Sequence, residues 1–138
     1  MSKGFEIAKA AQGFVGTPFM HQGRMPGVAM DCAGVALCAA WQAGVAIADF
    51  HAYGAMPRQK TVLQQVADRC MAVDYGERAP GDLLLFTIRR VPMHFAVWDG
   101  KCIIHALEPK GGVVRHSMGT AWAGRVHSCW RFPGVSDG

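Results

Sequence analysis

Between residues 3 and 14, with Val15 just beyond, Phe5, Ile7, Ala8 and Ala11 fall close to one helical stripe, and Lys3, Glu6, Lys9 and Gln12 lie between them. That spacing predicts an amphipathic helix. Gly16, Pro18, Gly23, Pro26 and Gly27 then break regular structure and predict a loop. From Ala33 to Trp41 the Ala, Leu and Val content, closed by Gly44, has the length of a buried helix, with Cys32 in its first turn and Asp31 placed to cap it. Residues 45–57 carry no period and read as an irregular connection in which His51, Tyr53 and Pro57 could line a cleft. From Arg58 to Met71 the apolar positions Val62, Leu63, Val66, Ala67 and Cys70 again share a helical face, with Thr61 as a candidate cap.

Beyond Asp74 the pattern changes. A polar, turn-rich stretch runs to Pro80, and Gly81-Asp82 leads into an apolar strand from Leu83 to Ile88. Short β-rich runs follow at 94–98, 102–106, 113–116 and 125–132, separated by Asp99-Gly100, Gly111-Gly112 and Gly119, which predicts an antiparallel meander. Helices first and strands afterwards predict an α+β domain with N-terminal helices packed on a C-terminal antiparallel sheet. At 138 residues the chain fits a single domain, residues 1–138, and it shows no internal repeat.

Composition narrows the function classes. A hydrophobic fraction of 51% against 17% charged residues excludes a disordered chain. No apolar run reaches the roughly 20 residues of a membrane helix, and the nearest, 33–48, is broken by Gln42 and Gly44, so no transmembrane segment is expected. The N-terminus starts with charge but develops no apolar signal-peptide core. The expectation is a protein made in the cytoplasm that acts inside the cell that makes it, is cut from a longer precursor, or is carried to its substrate by something else such as a phage particle or a lysis event. A net charge of +4 with scattered Lys and Arg gives no basic stripe, which argues against nucleic acid. Five cysteines, at 32, 38, 70, 102 and 129, are an odd number without C-x-x-C spacing, so neither a disulfide framework nor a zinc site is expected. The six histidines show no metal-ligand spacing either, and neither metal nor cofactor is expected.

The chemistry-bearing residues come in the order Cys, His, His. A thiol in the first turn of a helix faces unpaired N–H groups and the positive end of the dipole, so Cys32 is expected to have a lowered pKa. His94 opens a strand and His105 ends the next. A hairpin centred near residue 100 would set 94 opposite about 105 or 106, with both imidazoles on one face.

Five short motifs carry a resemblance to NlpC/P60 cysteine peptidases, a papain-related family that cleaves the peptide stems of bacterial cell walls. They are Gly16 to Gly23, Asp31 to Gly34 (D-C-A-G), Pro80 to Leu83 (P-G-D-L), His94 to Ala96 (H-F-A) and Ile104 to Ala106 (I-H-A), all in family order. The chain looks most like the phage-tail and prophage members. The resemblance implies a papain-like fold and an endopeptidase without cofactor. It would act on peptidoglycan stem peptides at the D-γ-glutamyl-diamino acid bond, with phage tail proteins as candidate partners. In this reading Cys32 is the nucleophile, His94 the base and His105 its orienting partner, with Asp99 or Glu108 as alternatives for the last role. The backbone N–H of Cys32 would serve the oxyanion. The family commonly has a tyrosine where this chain has Phe19, so His21 and Gln22 become candidates to assist there, and Asp31 joins Phe19 as a candidate for lining the substrate site. Cys70 reads as packed, and His21, His51, His116 and His127 carry no motif of their own. An amidase or acyl transferase on another amide or ester, and a catalytically weak wall-binding tail module, are the other readings.

Overall fold

The computed structural model describes residues 2–50, 59–107 and 111–135. In chain order the elements are α1 (Lys3–Gly13), β1 (Arg24–Met25), β2 (Ala29–Met30), α2 (Cys32–Gln42), α3 (Gln59–Arg69), β3 (Met71–Val73), a 3₁₀ turn (Tyr75–Glu77), β4 (Leu83–Ile88), β5 (Val91–Trp98), β6 (Cys102–Leu107), β7 (Gly112–Ser117), α4 (Gly119–Ala123) and β8 (Val126–Arg131).

The helix that carries Cys32 is the most enclosed of the described helices. Every residue from Ala33 to Cys38, and Ala39 and Ala40 after them, is buried. A helix apolar all round must be covered all round, and α2 packs against α1, β5 and β6. Its ends are fixed by polar contacts. The Asp31 side chain accepts from the Gly34 N–H at 2.8 Å, an N-cap of the usual geometry. At the other end the Lys3 ammonium donates to the Ala43 carbonyl at 2.8 Å, so a cation meets the negative end of the dipole. Gly34 has to be glycine, because a Cβ there would strike the carbonyl oxygen of Gly23 in the preceding loop. That close approach presses the 16–30 loop onto the first turn of α2.

The sheet is antiparallel, in the order β3-β8-β4-β5-β6-β7. Strands β4 to β7 form the expected meander. The last strand does not extend it, because β8 returns to pair with β4 on the opposite side, Leu84 facing Cys129, and β3 is added outside β8. Alternation gives the sheet two apolar faces. Leu83, Leu85, Phe95, Val97, Ile104, Ala106 and Val113 join the helices in the main core, whereas Leu84, Phe86, Ala96, Ile103 and Cys129 form a second cluster with Trp98 and Trp122. Each fully buried Leu, Ile or Phe in these layers contributes about 1.5–3 kcal/mol. The second layer is why the sheet is apolar on both sides although the long helices cover one.

Several boundaries differ from the sequence-based expectation. Phe5 and Val15 are exposed, 42% and 49%, and α1 buries Gly4, Ile7, Ala8, Ala10 and Ala11 instead, with Phe14 beyond them. The apolar stripe is carried by small residues because α1 lies close against α2. Helix α3 starts at Gln59, so Thr61 sits inside it rather than at its cap, and Met71 has left the helix for β3. Within α3, Val62 and Val66 are buried while Ala67 is exposed. Strand β5 begins at Val91, which makes His94 an interior residue of the strand and not its opening one. His51, Tyr53, Pro57 and Glu108 lie outside the described residues.

Candidate active site

Cys32 is the first residue of α2, and the strand that packs on that helix, β5, carries His94. Beside the sulfur is an apolar recess walled by Phe50, Val62, Met93 and Phe95, with Gln65 at its edge. The thiol does not have the lowered pKa expected of a helix N-terminus. Burial among these side chains, and next the Asp31 carboxylate, push it up to about 12, against the opposing pull of the Phe95 and Ala33 N–H groups and of Arg24. The residue that caps the helix supplies the negative charge at the same terminus, which offsets the dipole. At neutral pH the Cys32 side chain is therefore held as a thiol.

His94 and His105 are brought together. Nε2 of His94 and Nδ1 of His105 are 2.7 Å apart, with the rings edge to face at a centroid separation of 5.0 Å. Their relation is diagonal, not directly cross-strand. The β5–β6 register pairs Val97 with Ile104 and Trp98 with Ile103, and continued it would set Ala96 opposite His105, with His94 two residues along on the same face. Burial holds both rings neutral. It lowers His94 to about 4, although the Asp31 charge pulls the other way. It lowers His105 to about 3, with His94 and His116 adding to the effect. His105 is fully buried.

A third imidazole continues the row. Nε2 of His105 lies 2.8 Å from Nε2 of His116 on β7, and Nδ1 of His116 lies 2.8 Å from the Ser117 carbonyl oxygen. The indole of Trp122, on the short helix α4, runs along all three rings, at 5.6, 4.8 and 6.2 Å from the centroids of His94, His105 and His116. The nitrogens meet in pairs along a line, and among the described residues no group of three or more His, Cys, Asp or Glu forms a metal-binding cluster.

The remaining candidates occupy the loop before α2 and the turns of the sheet. Asp31 is 3% exposed, and its carboxylate is committed to the fold. Oδ1 accepts from Gly34 N and from Arg24 Nη1 at 2.9 Å, and Oδ2 accepts from Gln22 N at 2.7 Å. It is a cap and an ion-pair partner, not a substrate ligand. Gln22 and His21 are exposed on that loop, Gln22 in the left-handed region at φ 62°. Phe19 is partly buried against the main core and bridges to Met30. Asp99 is spent elsewhere. It receives the Arg115 guanidinium, Gln12 Nε2 and the N–H groups of Lys101 and Cys102 in the β5–β6 turn, so it is not the partner of His94. Asp82 combines the turn role expected of it, accepting from Ala79 N, with a two-pronged buried pair to Arg131 at 2.8 Å on each oxygen. Cys70 and Cys129 are pushed up to about 12 by burial, and Cys38 is also raised.

No protein-family model and no curated protein matches the sequence. Solved structures do match the fold. The NlpC/P60 domain of the peptidoglycan hydrolase SagA superposes with a TM-score of 0.64 at 25% identity, over 96% of this chain and 97% of that one. A Staphylococcus aureus protein of the NLP/P60 family gives 0.70 at 19% identity over 94% of this chain. The peptidoglycan hydrolase RipB of Mycobacterium tuberculosis gives 0.65 at 20% identity over 94% of this chain and 64% of its own. The fold is the NlpC/P60 fold. This chain spans 41% of the S. aureus protein, so the likeness is to its NlpC/P60 portion.

Two parts of the site escaped sequence reasoning. His116 belongs to no motif, yet the three histidines of the row are separated by 11 residues each. An equal step through successive hairpins keeps one face and advances diagonally, and that spacing was the available signal. Trp122 reaches the row from a five-residue helix, too short for periodicity to reveal.

Proposed function

We propose that this chain is a cysteine endopeptidase of the NlpC/P60 kind, hydrolysing a peptide or isopeptide bond in the peptidoglycan stem. The observation that carries the reading is the 2.7 Å contact of His94 with His105 on the strand packed against the helix that starts at Cys32, in a fold shared with peptidoglycan hydrolases. His105 takes Nε2 of His94, which leaves Nδ1 to serve the thiol. The Phe95 N–H acts on the sulfur, which brings the β5 backbone beside the thiol one residue from His94 and supports that pairing.

In the reaction, the Cys32 sulfur attacks the scissile carbonyl carbon as its proton passes to His94 Nδ1. The oxyanion is received by first-turn N–H groups of α2. His94 then gives the proton to the departing amine, leaving a thioester on Cys32. Water, deprotonated by His94, attacks that thioester, and the thiol leaves reprotonated as the acyl group departs as a carboxylic acid. Because the thiol starts protonated and the imidazole neutral, proton transfer accompanies attack and no ion pair waits for substrate. The D-γ-glutamyl-diamino acid bond is the favoured target, and delivery by a phage or prophage tail is the favoured route to the wall.

The raised thiol pKa and the phenyl ring of Phe19 favour a second reading, a catalytically weak wall-binding module. Mass spectrometry of muropeptides incubated with the native protein and with Cys32→Ala decides between them. Loss of mass at one bond, dependent on Cys32, is the expected result. Intact muropeptides with a folded protein would favour the module, and cleavage of a different amide or ester would favour the amidase or acyl transferase.

A further inference from the structure

We propose that His116 is a positioning residue whose contact with the Ser117 carbonyl fixes the proton on every ring of the row and so keeps the lone pair of His94 Nδ1 turned out for Cys32. The inference rests on the assignment of His94 as the base, and its test can fail separately from that assignment.

Donors and acceptors must alternate along the row. A carbonyl oxygen only accepts, so His116 Nδ1, 2.8 Å from Ser117 O, carries the hydrogen. In an uncharged imidazole, a hydrogen on Nδ1 leaves Nε2 as a lone pair, and His116 is taken in that form. His105 Nε2 sits 2.8 Å from it and must be the N–H of that contact. His105 Nδ1 is therefore an acceptor, and His94 Nε2, 2.7 Å away, is the donor. The remaining nitrogen, His94 Nδ1, is left with a lone pair, the state a general base requires. One backbone carbonyl at the end of β7 thus determines tautomers across three strands.

His105 cannot settle the matter by itself. It is fully buried, both its nitrogens face imidazoles, and its ring alone would accept either assignment. Trp122, edge-on to His105 at 4.8 Å, occupies the flank from which water could offer an alternative partner. Burial that lowers His94 to about 4 and His105 to about 3 keeps these two rings neutral at neutral pH. A donor in place of the His116 lone pair reverses the sequence. His105 would accept at Nε2 and donate from Nδ1, His94 would accept at Nε2, and His94 Nδ1 would carry a hydrogen and could no longer take one from the thiol.

Position 116 therefore offers a test by sign. His116→Gln can present an amide oxygen to His105, whereas His116→Lys presents only N–H donors. In protein labelled with ¹⁵N-histidine, long-range ¹H–¹⁵N spectra at neutral pH should show His94, assigned by loss of its signals in His94→Asn, as the Nε2–H tautomer. That tautomer should persist in His116→Gln and change to Nδ1–H in His116→Lys. On muropeptides, His116→Lys should lose at least about tenfold in kcat with KM nearly unchanged, and His116→Gln should stay within about threefold of native. A native His94 carrying hydrogen on Nδ1, or a His94 tautomer unmoved by His116→Lys in a folded protein, overturns the proposal whether or not muropeptides are cut. The expected tautomers together with no cleavage by the native protein would sink the peptidase reading and leave the tautomer assignment standing.

Discussion

Arg24 and Asp31 form an ion pair at 2.9 Å directly before the Cys32 helix, with side chains 16% and 4% exposed. The same guanidinium reaches Asp49 through Nε at 3.0 Å, so Arg24 ties the β1–β2 hairpin to both the helix cap and the segment after α2. Asp31 in turn holds Gln22 N and Gly34 N. Removing Arg24 leaves a buried carboxylate without its cation, a change that typically costs about 3–5 kcal/mol. Arg24→Met keeps the apolar stem and deletes the charge. Its urea midpoint should fall by an amount equivalent to about 3 kcal/mol, and an unchanged midpoint would show that the remaining N–H donors alone satisfy Asp31.

The same carboxylate acts on the Cys32 thiol. Burial and Asp31 together push the Cys32 thiol up to about 12, so its thiolate fraction should rise through the whole neutral and mildly alkaline range with no plateau on the acid side. Alkylation by iodoacetamide, followed by peptide mapping to separate Cys32 from the other cysteines, reads that fraction directly. The rate should climb about tenfold per pH unit between about pH 7 and 9. Asp31→Asn removes one of the two causes and should raise the rate at a given pH. A rate that is flat below about pH 7 would mean that an ion pair with His94 already exists.

The three longer helices, the meander from β4 to β7, the start of α2, its cap and the neighbourhood of His94 and His105 were legible in the sequence, because each follows from local rules. Asp31 caps because it is one residue before an apolar helical run, and a tight turn at Asp99-Gly100 requires adjacent antiparallel strands. The acid-base character of Cys32 was not legible. It depends on Phe95, Phe50 and Met93, which arrive from other elements, and on the net result of dipole, cap and burial. The return of β8 to β4 was equally hidden, since a period-2 run specifies a strand without its neighbour. The row from His94 to His116 lay in between, written in an equal spacing that has meaning only once the meander is known.

Burial of the histidines makes stability depend on pH with a definite sign. In the unfolded chain each titrates near 6.5, whereas in the folded state His94 and His105 titrate near 4 and 3. Between these values the unfolded chain binds more protons, so stability decreases as pH falls below about 6.5 and levels off only under the folded values. Above about 6.5 these groups contribute no slope. Each unit of depression corresponds to about 1.4 kcal/mol. Urea midpoints measured from about pH 7.5 down to about 5 should fall progressively, and the fall should be shallower in His105→Asn, which removes one buried titration. Equal slopes in the two proteins would place the pH sensitivity in other groups.

The turn between β4 and β5 is strained by its own side chains. Ile88 pairs with Val91, so Arg89 and Arg90 form a two-residue loop, and both have positive φ, 51° and 68°. That is the type I′ geometry that matches the twist of a hairpin and that Asn-Gly satisfies best. A residue with a Cβ in this region costs roughly 1–2 kcal/mol relative to glycine, and both arginines are exposed. Arg89→Asn combined with Arg90→Gly should therefore raise stability by about 1–2 kcal/mol, a rise in Tm of several degrees, by relieving strain in the folded state. Arg90→Ala separates this cause from charge, since it removes the same cation but keeps the Cβ. It should gain little, and a gain equal to that of Arg90→Gly would assign the effect to repulsion between the paired arginines instead of to the backbone.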